Sequence, residues 1–175
     1  MERFQITVYT PFDKLTTLEG EKVVQFLYEH LDQYGDAKHD IKQAIEYAMK
    51  EIPSPGGFVL VGREGDSIQG AVVVNKTGMS GYIPENILVY IAVHEDTRGK
   101  GIGKKLMKAA IKNCHGDIAL HVEADNPALF LYEKLGFENK YLEMRLSKAK
   151  YTSQKEAAKE KKDLSKSPLR ADQNN

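Results

Sequence analysis

One cysteine in 175 residues leaves no partner for an intramolecular disulfide, which fits a reducing compartment. Net charge is also missing. Lys+Arg 25 against Asp+Glu 25 gives a formal balance of +0, so nothing global favours nucleic acid or an anionic membrane surface. No window is long and apolar enough to span a bilayer. The start, Met1-Glu2-Arg3-Phe4, runs straight into strand-like alternation without the apolar core of a signal peptide. No internal repeat is present. These absences set the expectation of a soluble, cytoplasmic protein without nucleic-acid or membrane partners. The length and a hydrophobic content of 41% suffice for one packed domain.

The chain punctuates itself clearly. Phe4 to Tyr9 alternates as a strand does. From about Leu18 the pattern turns helical, with Val24, Leu27, Tyr28 and Leu31 on one stripe, and Gly35 ends it. A second helix, capped by Asp36 or Asp40, carries Ile41, Ala44, Ile45, Ala48, Met49 and Ile52 on one face. Pro53-Ser54-Pro55-Gly56-Gly57 stops it. Phe58 to Val61 and Ile68 to Val74 read as a hairpin around Gly62 to Asp66. After a loop, the apolar run to Val93 reads as a buried strand. Ile102, Leu106, Met107, Ala110, Ile111 and Cys114 recur at helical spacing. Ile118 to Ala124 gives another strand, Asn126-Pro127 opens a short helix closed by Gly136, and Tyr141 to Leu146 gives a last strand. From Ser147 the apolar pattern fades. The expectation is a mixed α+β domain over 1–148 and a charged, disordered tail over 149–175.

Between the central strand and its helix stands Arg98-Gly99-Lys100-Gly101-Ile102-Gly103-Lys104. Three glycines in five residues permit a sharp turn, and amides gathered at a helix start attract anions, phosphate above all. Lys100, Lys104 and Lys105 add positive charge. The Walker run Gly-x-x-x-x-Gly-Lys-Ser/Thr is absent. The dinucleotide fingerprint Gly-x-Gly-x-x-Gly fails at its sixth position, held by Lys104, although Glu123 lies where a ribose-binding acid would be wanted. A nucleotide-cofactor reading therefore stays open on the residues alone. His94-Glu95 begins a zinc-protease pattern whose second histidine position is Arg98, and the remaining histidines show no ligand spacing with Cys114, so no metal is expected.

Arg98 to Gly103 has the form Arg/Gln-x-x-Gly-x-Gly/Ala, and downstream lies Asn126-Pro127-Ala128-Leu129-Phe130-Leu131-Tyr132-Glu133-Lys134-Leu135-Gly136-Phe137. In this order, separated by one helix and one strand, the two stretches strongly resemble the GNAT superfamily of acyl-CoA-dependent N-acyltransferases. The resemblance covers about Asn86 to Phe137. It implies a GNAT-like fold, with a mostly antiparallel mixed sheet of about six or seven strands and a splayed parallel pair around the loop helix, as strand–helix–strand crossovers require. It also implies acetyl-CoA as acyl donor, attacked directly by a primary amine in a ternary complex, without a metal. Arg98, Gly99, Lys100, Gly101, Ile102, Gly103 and Lys104 would hold the pyrophosphate. Ile91, Ala92 and Val93 would offer the cofactor arm a strand edge and the oxyanion a donor.

By the same resemblance Tyr132 would protonate the leaving thiolate, and Asn126 and Ala128 would meet the cofactor arm. The residues alone also allow Tyr132 as a core aromatic and Asn126 as a plain helix cap. The central strand, Ile87 to Val93, contains no acid. The candidate bases are therefore Glu123 on the neighbouring strand and Glu85 before the central one, or a water relay through Tyr82 or His121. Tyr28, Tyr34 and Asp36 would lie near the acceptor, since the N-terminal helices form a wall of its site in the family. The missing strand acid motivates a second reading: a CoA-binding module without catalysis. The acceptor amine, and the choice between monomer and homodimer, are not written in the sequence.

Overall fold

The computed structural model describes residues 3–165, with side chains through residue 162. The chain divides into two compact units, Met1–Gly136 and Phe137–Asn175.

The first unit holds one five-stranded sheet in chain order, β1 (Gln5–Tyr9), β2 (Gly57–Glu64), β3 (Ser67–Lys76), β4 (Asn86–Val93) and β5 (Ile118–Leu120). The first four strands are antiparallel and β4–β5 is parallel. Parallel pairing follows from the crossover through helix α3 (Ile102–Asn113), because two strands joined by a helix enter the sheet from the same end.

Helices α1 (Thr17–His30) and α2 (Lys38–Ala48) cover one face. Val23, Phe26 and Leu27 of α1 and Ile41, Ile45 and Ala48 of α2 are buried against Val59, Val61, Ala71 and Val73. The buried stripe of α1 is thus rotated from the expected one, and Tyr28 is left 48% exposed. Thr16 starts α1 with a reciprocal capping box: its hydroxyl accepts the Glu19 amide at 3.2 Å, and Glu19 Oε2 accepts the Thr16 amide at 3.0 Å. The opposite face belongs to α3. Gly62 and Gly70 face each other across β2 and β3. A Cβ at Gly70 would stand 2.4 Å from Leu106 Cδ1, so the glycine is what lets α3 seat its fully buried leucine on the sheet.

Two features of β4 shape the site. Val73 pairs Tyr90 while Val74 pairs Leu88, so Val89 is an extra residue, a bulge that bends the strand. On the other side, β5 pairs only Asn86 to Leu88, through Ile118 to Leu120. Beyond Leu88 the parallel strands part, which is the expected splay.

Several expectations are corrected. The sheet has five strands among the described residues, and β5 ends at Leu120 instead of reaching Ala124. Tyr141 to Leu146 is not a strand: its alternation is sound, but no ladder partner bonds it, and Leu142 and Met144 are 87% and 95% exposed. Where disorder was expected, the second unit carries helix α5 (Lys148–Ser165). The segment is rich in Lys and Ala, with two Glu, all strong helix formers, and has no Gly or Pro. The part of the expected tail from 166 to 175 lies outside the described residues.

Candidate active site

The glycine loop has the backbone its composition allows. Gly99 and Gly101 sit at φ 78° and 80°, the left-handed region, and no atom stands within 4 Å of where either Cβ would be. Helix α3 starts at Ile102 with Gly101 as its cap and no side chain satisfying its first amides. The N–H groups of Gly101, Ile102, Gly103 and Lys104 are the four that a helix beginning there leaves without intrahelical acceptors. They point outward at the positive end of the helix dipole, with Lys100 and Lys104 exposed beside them. Not every loop amide is available. Arg98 N–H donates to Glu95 O at 3.3 Å and Lys100 N–H to Thr97 O at 3.3 Å. The donor set narrows to Gly99 and Gly101 through Lys104.

Arg98 itself is a tie. Its Nε donates to Val93 O at 3.3 Å and its Nη2 to His30 O at 2.9 Å, while Nη1 pairs with Asp32 Oδ2 at 2.9 Å. The guanidinium therefore fastens the end of β4 to the end of α1, and its charge is shared with Asp32.

The strand edge is open as the splay requires. His94 N–H donates to Gln69 O at 2.9 Å, on the β3 side. Alternation along an antiparallel ladder then directs the main-chain groups of Tyr90 and Ala92 to β3 as well. Those of Ile91 and Val93 face the gap left by β5. Ala92, expected with them, turns its amide to β3.

Helix α4 (Leu129–Lys134) closes the loop side. A Cβ at Gly103 would lie 3.4 Å from Leu131 Cδ2 and 3.6 Å from Val93 Cγ2, so β4, α3 and α4 meet at this glycine. Asn126 Oδ1 accepts the Ala128 amide at 2.9 Å, which organises the turn into α4. Tyr132 stands one turn further on. It is 6% exposed, and burial pushes its phenol up to about 12.

Residues 55–139 match the family model for the acetyltransferase (GNAT) domain. The chain carries a domain of the GNAT superfamily. Its sequence is 42% identical over 53 residues to the mycothiol acetyltransferase of Corynebacterium jeikeium, covering 27% of this chain and 15% of that protein. It is 40% identical over 55 residues to the mouse cysteine-rich protein 2-binding protein, covering 31% of this chain and 7% of that one. The chain thus spans only a small fraction of these relatives' lengths. Its fold is similar to the aminoglycoside N-acetyltransferase AAC(6')-Iy, solved with CoA, at a TM-score of 0.62 and 14% identity, over 85% of this chain and 96% of that one.

Within the GNAT domain the expected carboxylates part ways. Glu85 precedes the first residue of β4, and Val93 is its last, so Glu85 lies roughly 25 Å from the glycine loop at 3.3 Å per residue. Its Oε2 accepts the Asp117 amide at 2.7 Å, and such backbone donors hold its carboxyl below the usual range. Glu85 is a brace between the starts of β4 and β5. Glu123 is exposed, in the turn after β5 and not on a strand, with its carbonyl accepting Asn126 N–H at 3.0 Å. Tyr82 is 80% exposed in the loop before β4, at the Glu85 end. His121 directly follows β5.

Of the residues expected near the acceptor, Tyr28 lies under Lys38 Nζ at 4.8 Å. Tyr34 OH donates to Asp125 O at 3.2 Å, and Asp36 Oδ2 accepts Tyr90 OH at 2.6 Å. The last bond joins residues 54 apart in sequence, so no local pattern announces it. No group of three or more His, Cys, Asp or Glu among the described residues is arranged to hold a metal. Burial pushes the Cys114 thiol up to about 11, which keeps it protonated at the end of α3.

Proposed function

We propose that this protein transfers an acetyl group from acetyl-CoA to a primary amine. The observation that supports this best is the meeting of three elements at Gly103: the helix-start amides at Gly101 to Lys104, the edge of β4 at Ile91 and Val93 that β5 leaves uncovered, and the short helix that carries buried Tyr132.

The residues suit the cofactor. Open space at two left-handed glycines admits a pyrophosphate against the backbone, with donors and lysines around it. The main-chain groups of Ile91 and the N–H of Val93, whose carbonyl already accepts from Arg98, match an amide-bearing arm, as in added-strand recognition. When bound, acetyl-CoA supplies a thioester, an activated acyl group that needs no enzyme nucleophile. The chain supplies the rest. The edge orients the acyl group and aims an amide at its carbonyl oxygen, where charge develops. Asn126 and Ala128 hold the start of α4 in place. Tyr132 gives its proton to the departing sulfur; a phenol shifted to about 12 is a protonated donor throughout the neutral range.

The test is acetyl-CoA titration followed by CoA release with a panel of primary amines. Binding with amine-dependent release supports the reading, whereas binding without release from any amine favours the silent CoA module. Stabilisation by NAD and not by acetyl-CoA would sink both.

A further inference from the structure

The seven residues joining α1 to α2, 31–37, do not run clear of the sheet. Asp32 pairs with Arg98, just after β4. Tyr34 donates to Asp125, in the turn after β5. Asp36 accepts from Tyr90, inside β4. A segment bonded to β4 on one side and beyond β5 on the other crosses the gap where those strands part. It is a strap over the splay.

Asp36 holds a particular place in that strap. Tyr90 is the residue after the Val89 bulge, where β4 has just lost β5 as a neighbour. Asp36 is not spent on the following helix: α2 begins at Lys38 behind Ala37, with no side chain capping it. One carboxylate oxygen is fixed by the Tyr90 hydroxyl, and Oδ1 has no partner among the described residues. Tyr90 is 7% exposed, and its ionisation is suppressed first by burial and then by Asp36, so it stays the donor of this pair. Asp40 of α2 also bears on Tyr90, and Glu123 and Asp125 lie on the turn opposite. The nearby cations are engaged elsewhere: Arg98 on Asp32, and Lys38 on Gln25 Oε1 at 2.6 Å. The mouth of the gap is acidic from both sides.

We propose that Asp36, held by Tyr90, is the carboxylate that receives the acceptor, a cationic primary amine, and takes the first proton from its nitrogen. This rests on the transferase reading above. The ammonium gives one proton to Asp36, which passes it to solvent. The neutral nitrogen attacks the acyl carbon; the N–C bond forms and the C–S bond breaks. Sulfur leaves with the Tyr132 proton, which is replaced through solvent by the second proton of the nitrogen. The products are the N-acetylamine, CoA thiol and one proton. Asp36 is exposed, so Asp36→Asn is a surface change that should leave the fold intact.

The experiment compares the full chain with D36N, Y90F and E123Q, using butane-1,4-diamine and a lysine peptide as acceptors. For D36N the expected result is acetyl-CoA affinity within twofold of the parent, CoA release reduced at least 30-fold, and loss of the acid-side limb of the pH–rate profile. Y90F should raise KM several-fold while kcat falls less, and E123Q should raise KM a few-fold while keeping kcat and the acid-side limb, as a charge at the mouth and not the base. D36N turnover within threefold of the parent, with an unchanged pH profile, overturns the assignment and leaves the transferase reading standing. A parent that binds acetyl-CoA yet releases CoA with neither probe overturns the cationic-amine acceptor. A parent that does not bind acetyl-CoA overturns the transferase reading itself.

Discussion

Gly101 and Gly103 are two residues apart and do different work. Gly101 lies at φ 80°, where an L side chain costs roughly 1–2 kcal/mol. Gly103 has ordinary φ, and a methyl there would meet Leu131 and Val93 at van der Waals distance. Gly101→Ala is therefore expected to lose about 1 kcal/mol in urea unfolding and to weaken acetyl-CoA binding about tenfold. Gly103→Ala should unfold within about 0.5 kcal/mol of the parent. Equal losses from both would remove conformational strain as the explanation. Tyr132 gives a second residue-scale prediction. Tyr132→Phe keeps the buried ring and deletes the donor, so turnover should fall roughly 100-fold with little change in acetyl-CoA affinity. Because burial lifts the phenol to about 12, the parent should show no alkaline loss of rate from this group below about pH 11. An alkaline limb near pH 9 that disappears in the Phe variant would show a donor with an ordinary pKa, contrary to its burial.

At the scale of elements, the site depends on how α1 is fixed to the end of β4. Arg98 ties them, and an aromatic stack lies at the same junction: Phe26–His30 and His30–His94 have centroids 4.5 Å apart. Burial first, and the His94 charge second, lower the His30 pKa. The sign follows from linkage. The native state binds fewer protons at His30 than the unfolded chain does, so its contribution is fully present above the unfolded value near 6.5 and is lost as pH falls toward the folded one. The urea midpoint should drop between pH 7.5 and 5.5, and His30→Gln should flatten that drop; an equal slope in the variant would assign the dependence to other groups. The exposed Arg98–Asp32 pair adds at most about 1 kcal/mol, so Arg98 matters more for the shape of the gap than for stability. The seat of α3 is firmer. Gly70→Ala would press a methyl into Leu106 and is expected to cost about 1–3 kcal/mol.

At the scale of the whole molecule, what the sequence exposed was what is local. The glycine loop, the helix after it and the Asn126 to Phe137 stretch lie within forty consecutive residues, and each carries its own chemistry in its spacing. The parallel pair followed from one crossover. What stayed hidden depends on contacts between distant segments: Asp36 with Tyr90, Arg98 with His30, Glu85 with Asp117. A carboxylate before a strand reads alike whether it faces substrate or braces a neighbour, and only the ladder decides. The end of the chain misled for the opposite reason, because propensity makes a helix there whose described side chains are all exposed. Each described side chain from Lys148 to Lys162 is exposed, Tyr151 at 38%, so these residues withdraw little apolar area from water and add little packing energy. A chain ending at Lys148 should then unfold at the same urea midpoint as the full chain, and bind acetyl-CoA equally. Far-UV circular dichroism should lose helical signal in proportion to the residues removed. Isolated helices of this length are marginal in water, so that lost signal should also melt gradually and below the cooperative transition of the first unit. A fall of several degrees in that transition on truncation would mean that α5 packs on something, and its place in the fold would have to be redrawn.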